Sequence, residues 1–203
     1  GADLASGAQY NLLIGEESGT NITTGDYNIS LGFNAMHGSD STAMTGSNNV
    51  AIGFDALEDI TTGENNIAVG SDAGKNITTG GYNVILGKDA GEGVTTQASN
   101  VIIGQSAGES SEGARGVLIG LEAGQNAHGN ENVYIGDEAG KGSGTDADVG
   151  NVAVGNATLN SITSGDYNVA VGYEAGKSVT SGINNVAIGR LALEDVTTAQ
   201  NNI

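Results

Sequence analysis

Short runs of apolar residues recur along the chain, and each run ends in glycine. One reads NVAIG at 49–53 and the next reads NIAVG at 66–70. Helices of typical length do not fit between glycines this frequent, and runs rich in valine and isoleucine favour β-structure. The pattern therefore predicts short β-strands, whose side chains alternate between two faces.

These runs repeat with a period of 17 residues. The successive spacings of their terminal glycines are 17, 21, 17, 17, 17, 16, 16, 19, 17 and 17 residues. One 17-residue unit cannot bury a core by itself, whereas stacked units can share one continuous narrow core. We therefore predict an all-β fold in which residues 1–203 form one domain. This domain is a parallel β-solenoid, or β-roll, of about eleven turns and about 50 Å long.

Asparagine occupies one fixed position in almost every repeat, directly before the apolar run, and Gly116 is the exception. Identical amides stacked one above another can hydrogen-bond along the rod as a ladder. We predict a structural ladder, and not a ligand site, that includes Asn28, Asn49, Asn66, Asn83, Asn100, Asn132, Asn151, Asn168 and Asn185.

The residue between the two larger apolar residues of each run carries no charge in any repeat. If Val50 and Ile52 face the core, alternation places Ala51 on the outside. An uncharged stripe along the whole rod is typical of a partner surface. We therefore predict that this stripe packs between parallel copies of the chain. Its residues are Ala51, Ala68, Ile85, Ile102, Leu118, Tyr134, Ala153, Ala170 and Ala187.

Composition narrows the possible functions. The formal net charge is −18, from 24 acidic and six basic residues. This charge argues against nucleic-acid binding and against docking on anionic lipid. The chain has no cysteine, so thiolate metal sites and thiol nucleophiles are absent, and no apolar run approaches the length of a membrane span. We expect neither cofactor nor membrane insertion.

The block N-x-[VI]-A-[IV]-G-x-x-A resembles the head repeats of trimeric autotransporter adhesins, the YadA-like family. The longer version with TTG-x-N-N is similar to repeats in bacteriophage tail fibres and in large surface proteins. The resemblance covers nearly the whole chain. It implies a left-handed parallel β-roll, three chains packed side by side, and Val50 and Ile52 placed within the roll and between rolls. The family motif describes a scaffold and contains no catalytic residue.

The sequence thus favours a structural or adhesive shaft or head segment of a trimeric surface fibre, either an adhesin or a phage tail fibre. We expect an extracellular location on a cell surface or virion, a homotrimer, and a receptor on a host surface as a further partner. A self-assembling extracellular filament is an alternative, since both ends lie within a repeat and no polar cap is present.

An ice-binding β-solenoid is the second alternative. Seven repeats carry a Thr-Thr or Thr-Ser pair, which can form columns on a solenoid surface. Adjacent residues of a strand face opposite sides, so we expect one outward threonine per turn and no two-rank array. The pairs are 23–24, 61–62, 78–79, 95–96, 163–164, 180–181 and 197–198.

No pattern of residues predicts catalysis. His37 and His128 lie about five turns apart, which is too far for a shared site within one chain. The irregular segments 37–47 and 141–149 are candidates for specific recognition, because insertions into repeats map to loops. Asp146 and Asp148 are candidate calcium ligands, but no EF-hand loop is present and a solvated loop is the expectation.

Overall fold

The computed structural model of the protein describes residues 7–38, 42–142 and 148–203. These residues form eleven strands of three residues each, and the described part of the chain contains no helix. The strands are β1 (Leu12–Ile14), β2 (Ile29–Leu31), β3 (Val50–Ile52), β4 (Ile67–Val69), β5 (Val84–Leu86), β6 (Val101–Ile103), β7 (Val117–Ile119), β8 (Val133–Ile135), β9 (Val152–Val154), β10 (Val169–Val171) and β11 (Val186–Ile188).

The strands form one parallel sheet in sequence order, β1 to β11. Equivalent residues of successive repeats are direct partners, as when Ala51 pairs with Ala68. The register also holds where the spacing is longer or shorter, since Leu31 pairs with Ile52 and Ile103 with Ile119. The loops therefore absorb every change in repeat length, and the predicted parallel β-solenoid is confirmed.

The glycine that follows each strand allows this close stacking. Gly70 has a φ of 139°, which L-residues with a side chain rarely adopt. A Cβ atom at this position would overlap the carbonyl oxygen of Gly87 in the next turn. Glycine is thus required at this position both for its backbone angle and for the space between turns.

The core is narrow and lies between the sheet and the loops that close each turn. Small residues such as Ala56 and Ala73 are fully buried where the chain leaves the strand. Ile60 and Ile77 enter the core from the far side of their turns, and both are also fully buried. Larger side chains thus come mainly from the loops, which leaves little room beneath the sheet.

The predicted orientation of the strand residues was wrong. The central residue of each strand faces the core of its own chain, so it cannot form an outward stripe between chains. None of these nine side chains is more than 3% exposed. They are Ala51, Ala68, Ile85, Ile102, Leu118, Tyr134, Ala153, Ala170 and Ala187.

The small size of the interior explains this orientation. Where the central residue is large, as at Ile85 or Tyr134, the loop residue that faces it is glycine, and a Cβ on Gly91 or Gly140 would press against that side chain. Where the central residue is alanine, as in β3, the corresponding loop position is filled by buried Leu57. At this level of the core a large side chain therefore comes from the strand or from the loop, but not from both. In the turn of β4, where Ala68 is central and the loop position is Gly74, Leu57 and Ile85 of the adjacent turns lie next to that glycine.

Candidate interaction surface

The first and third residues of every strand point away from the core. We call these 22 side chains the outer sheet face. All of them are valine, isoleucine or leucine, so the face carries no charge along its length. Ile67 remains 41% exposed in the middle of the sheet, whereas the adjacent Ala68 is fully buried. A sheet face in water is ordinarily polar, so this apolar face is typical of a contact surface.

The outer sheet face is long and narrow. Eleven strands stacked at about 4.8 Å give a length of about 50 Å. The first and third residues of a strand lie about 7 Å apart across the rod. Single exposed apolar residues are common on protein surfaces. A continuous apolar band of this length is not, and such a band is typical of an interaction surface.

An upstream column of residues borders this face, each lying two positions before its strand. Every member has a left-handed backbone, with φ between 56° and 68°. The rings of Tyr10 and Tyr27 stack with their centroids 5.0 Å apart, and both side chains are exposed. The column consists of Tyr10, Tyr27, Asn48, Asn65, Tyr82, Ser99, Arg115, Glu131, Gly150, Tyr167 and Asn184.

A downstream column borders the opposite side, each residue lying two positions after its strand. Phe33 and Phe54 stack at 5.5 Å, and the guanidinium of Arg190 lies 5.5 Å from the centre of the Tyr173 ring. Exposed aromatic groups thus extend the apolar face on both sides. The column consists of Glu16, Phe33, Phe54, Ser71, Lys88, Gln105, Leu121, Asp137, Asn156, Tyr173 and Arg190.

Many of the charges lie in the loops beyond these columns. The Nζ of Lys75 lies 2.8 Å from Asp55 Oδ2 and 3.0 Å from Glu58 Oε2, and it also contacts Asp72. Hydrogen bonds to Asp55 and then to Glu58 raise the pKa of Lys75 well above its usual value. A lysine between carboxylates of adjacent turns reduces the electrostatic repulsion among the acidic loops. Because these charged groups lie in the loops, the outer sheet face remains apolar.

The asparagine ladder is present inside the roll. Asn66 donates its backbone N–H to Asn49 Oδ1 at 3.0 Å, and its Nδ2 donates to the same oxygen at 3.1 Å. The same Nδ2 also donates to the carbonyl oxygen of Gly80 in the following turn, at 2.9 Å. The Asn66 amide therefore links three turns. The nine predicted members are all buried: Asn28, Asn49, Asn66, Asn83, Asn100, Asn132, Asn151, Asn168 and Asn185.

The ladder is interrupted at Gly116. Asn100 Oδ1 still accepts a hydrogen bond from the N–H of Gly116, at 2.9 Å, but the Nδ2 of Asn100 is buried without a partner. A Cβ at Gly116 would meet its nearest atoms at 3.5 and 3.6 Å, which are ordinary contacts. The position therefore has space for the Cβ of a side chain that would continue the ladder.

In five of the seven threonine pairs the first hydroxyl bonds to the next turn. Thr61 Oγ1 donates to the carbonyl oxygen of Thr78, and Thr163 Oγ1 donates to that of Thr180, both at 3.1 Å. The second residue of a pair is exposed, as at Thr62. The first hydroxyl is thus used between turns in these pairs, whereas both residues are exposed in the pairs 95–96 and 197–198.

The candidate chemical groups do not assemble into a reactive site. His37 and His128 follow β2 and β7, five turns apart. Asp148 is buried and accepts a short hydrogen bond from the hydroxyl of Tyr134 in the core, so it does not face a loop ligand. Asp146 lies outside the described residues. No group of three or more histidine or acidic residues in the described part of the chain could hold a metal ion.

The shortened turns after β6 and β7 border a polar recess of about 400 Å³. Glu92, Glu109, Glu112 and His128 contribute to its lining, and His128 Nδ1 lies 3.9 Å from Glu112 Oε2. Burial, followed by the charges of Asp89 and Glu109, raises the pKa of Glu92. The recess is acidic, and it lies in the loops and not on the outer sheet face.

The outer sheet face was missed by the sequence reasoning, although its residues were named there as core. Two sequence signals could have found it. Asn49 and Ala51 share one strand face, so a buried ladder requires a buried Ala51. Glycine also occupies the facing loop position wherever the central residue is large, as Gly91 does for Ile85, which shows which side packs inward.

Comparison with known proteins gives no relative from which function could be transferred. No family model, no curated protein and no solved structure matches the chain. Within the described residues, no helix has the length and apolar character needed to cross a membrane.

Proposed function

We propose that this chain is a structural and adhesive segment, shaft or head, of a trimeric extracellular fibre that supports attachment to a host surface. The fibre is an adhesin or phage tail fibre on a cell surface or virion, and its rolls are left-handed. In this proposal three parallel copies bury their outer sheet faces around a common axis. The observation that carries it is the uncharged aliphatic face along all eleven strands.

A second copy of the chain is the occupant that suits the shape of this face. The band is about 50 Å long and its pattern repeats at each strand, so a partner must be equally long and have the same period. Six residue spacings separate the two bordering columns, which gives a width of at most about 20 Å. The resulting area of about 1,000 Å² is comparable to the 800 Å² or so that each partner buries in a stable complex.

The charge distribution is compatible with this packing. Each chain carries a net charge of −18, which opposes association through long-range repulsion. The outer sheet face itself contains no carboxylate, so association buries no unpaired charge there. We therefore expect the oligomer to become more stable as salt screens the loops.

The test is a matched pair of double variants examined by sedimentation. Val69→Glu with Val84→Glu places two carboxylates on the outer sheet face, and we expect the oligomer to dissociate into single chains. Thr62→Glu with Thr79→Glu adds the same charge to exposed loop positions and should leave the mass unchanged. Equal masses for both variants, with circular dichroism showing folded chains, would contradict the proposed contact.

A further inference from the structure

At three levels of the rod, the two columns that border the outer sheet face carry pairs of side chains that can pack together. Tyr27 and Phe33 flank β2, Tyr82 and Lys88 flank β5, and Tyr167 and Tyr173 flank β10. We infer that the upstream column of one copy packs against the downstream column of the next copy, turn for turn. This inference rests on the proposed function, because it specifies how the copies meet.

Symmetry brings these columns together. When identical rods surround a common axis with one face inward, the left border of each face meets the right border of its neighbour. A pure rotation does not shift a residue along the axis, so both borders meet at the same height and the ring closes. Tyr82 of one copy then lies beside Lys88 of the next, and Tyr27 beside Phe33.

The side chains involved are available for such contacts. Tyr82 is 67% exposed, and the side chain of Lys88 is 62% exposed. Within its own chain Lys88 pairs with Asp89 at the surface, an interaction of a kind that contributes little to stability. An ammonium group over a tyrosine ring and pairs of aromatic rings are both favourable contacts.

The residues of the two columns also favour, at one level, a second alignment of neighbouring copies that is shifted by one turn. At the level of β8, matched turns bring Glu131 near Asp137, although Arg115 lies 2.8 Å from Glu131 in the same chain and offsets its charge. A shift by one turn would instead place Arg115 beside Asp137. Such a shift repeated from copy to copy does not close, and it produces a helical filament.

Cysteine cross-linking tests the register, because the natural chain contains no cysteine. The double variant Tyr82→Cys with Lys88→Cys should form disulfides between copies under mild oxidation. We expect non-reducing gels to show bands at two and three times the 20.1 kDa chain mass. The two positions lie on opposite borders of the sheet, beyond the roughly 7 Å between Cα atoms that a disulfide within one chain can span.

The matched control is Tyr82→Cys with Gln105→Cys, which would cross-link only in the register shifted by one turn. Cross-linking of this control in place of the first variant would overturn the inference and indicate an open filament, in which the outer sheet faces still meet in a shifted register. An oligomer of the expected mass in which neither pair cross-links would also overturn it. A single-chain mass for the unmodified protein would instead reject the proposed function together with this inference.

Discussion

The turns that carry β3 to β5 and those that carry β7 and β8 use the same strands with different interiors. In the first group, the asparagine ladder is continuous and buried isoleucine or valine such as Ile60 and Val94 fills the far side of each turn. In the second group, Gly116 interrupts the ladder, and Ala127 occupies the position of the isoleucine. The sheet register nevertheless runs through both groups without a shift.

This difference distinguishes the residues that set the register of the strands from the residues that fill the core. Strand pairing and the glycine after each strand are present in both groups, so they maintain the stacking of turns. The loop residues that fill the core vary between the groups, because a side chain from another position can occupy the same space. Tyr134 enters the core from β8 in the region where the loops carry smaller residues such as Ala127.

The largest expected effect comes from adding one methyl group to the glycine column. Gly70→Ala forces a side chain into a backbone angle reserved for glycine and into the carbonyl oxygen of Gly87. We expect a loss of about 3 to 5 kcal/mol in the free energy of unfolding. Hydrogen exchange of amides in the adjacent turns should measure it, because the stability of stacked repeats depends on contacts between neighbours.

Gly116→Ala is the control for this change, since it adds the same methyl group where the nearest atoms are at least 3.5 Å away. Its effect on amide exchange should be small. Equal protection of the β4 and β5 amides in both variants would show that close stacking does not require the glycine column.

Breaking the ladder in a regular turn should have the next largest effect. Asn66→Leu keeps a similar volume but removes the amide that links Asn49 with Gly80. Buried groups lose their partners, so we expect a loss of about 2 to 4 kcal/mol in urea unfolding. Thr62→Ala, at an exposed loop position, should change stability by less than about 0.5 kcal/mol. A similar result for both variants would remove the ladder from the account.

The irregular turn that contains Asp148 should show a characteristic pH dependence. Burial raises the pKa of Asp148 above its usual value, while hydrogen bonding by Tyr134 acts in the opposite direction. A carboxyl group with a raised pKa in the folded state contributes stability at low pH, below its unfolded-state pKa. This contribution is lost as the pH rises through the folded-state pKa.

Asp148→Asn tests this dependence by removing the titrating group. Relative to this variant, the wild type should be most stable near pH 3 or so and should lose that advantage as the pH approaches neutrality. Urea unfolding at a series of pH values measures the difference. A difference that stays constant or grows with pH would mean that Asp148 is not held in an environment that disfavours its charge.

The smallest predicted effect is a gain in stability. Gly116→Asn supplies the missing amide, in a position where its Cβ meets no close contact. In the direction of the ladder, its Nδ2 would donate to Asn100 Oδ1, and its Oδ1 would accept a hydrogen bond from Asn132. We expect an increase of about 1 kcal/mol in the free energy of unfolding. Gly116→Ala again serves as the control, because it adds the Cβ without the amide. No gain over this control would indicate that residue 116 cannot align with Asn100.

Much of the fold could be predicted from the sequence because its period is regular. The repeat of glycine and asparagine gave the strand positions, the parallel stacking and the ladder, as the pairing of Ala51 with Ala68 confirms. The repeat period alone does not show which strand residues face the core, because both sides of each strand are apolar. Size suggested that Val50 and Ile52 lie inside, but the narrow interior accepts Ala51 and is filled by Leu57 and Ile60.

The candidate surface changes accordingly. If Ala68 faced outward, Ala68→Glu would test association between chains. Because Ala68 is buried, this variant instead places a carboxylate inside a single roll, and we expect it to disrupt folding. The uncharged stripe along the rod exists, but it consists of the residues on either side of the central column. The idea of contact between copies is retained as a proposal, with Val69 and Val84 in place of Ala68.

The most direct measurement of this proposal is the mass of the unmodified chain by sedimentation equilibrium over a series of dilutions. The account predicts a discrete species of three times the 20.1 kDa chain mass, which becomes more stable as salt increases. A folded species with the mass of one chain throughout the series would contradict it, because the outer sheet face would then remain exposed to water.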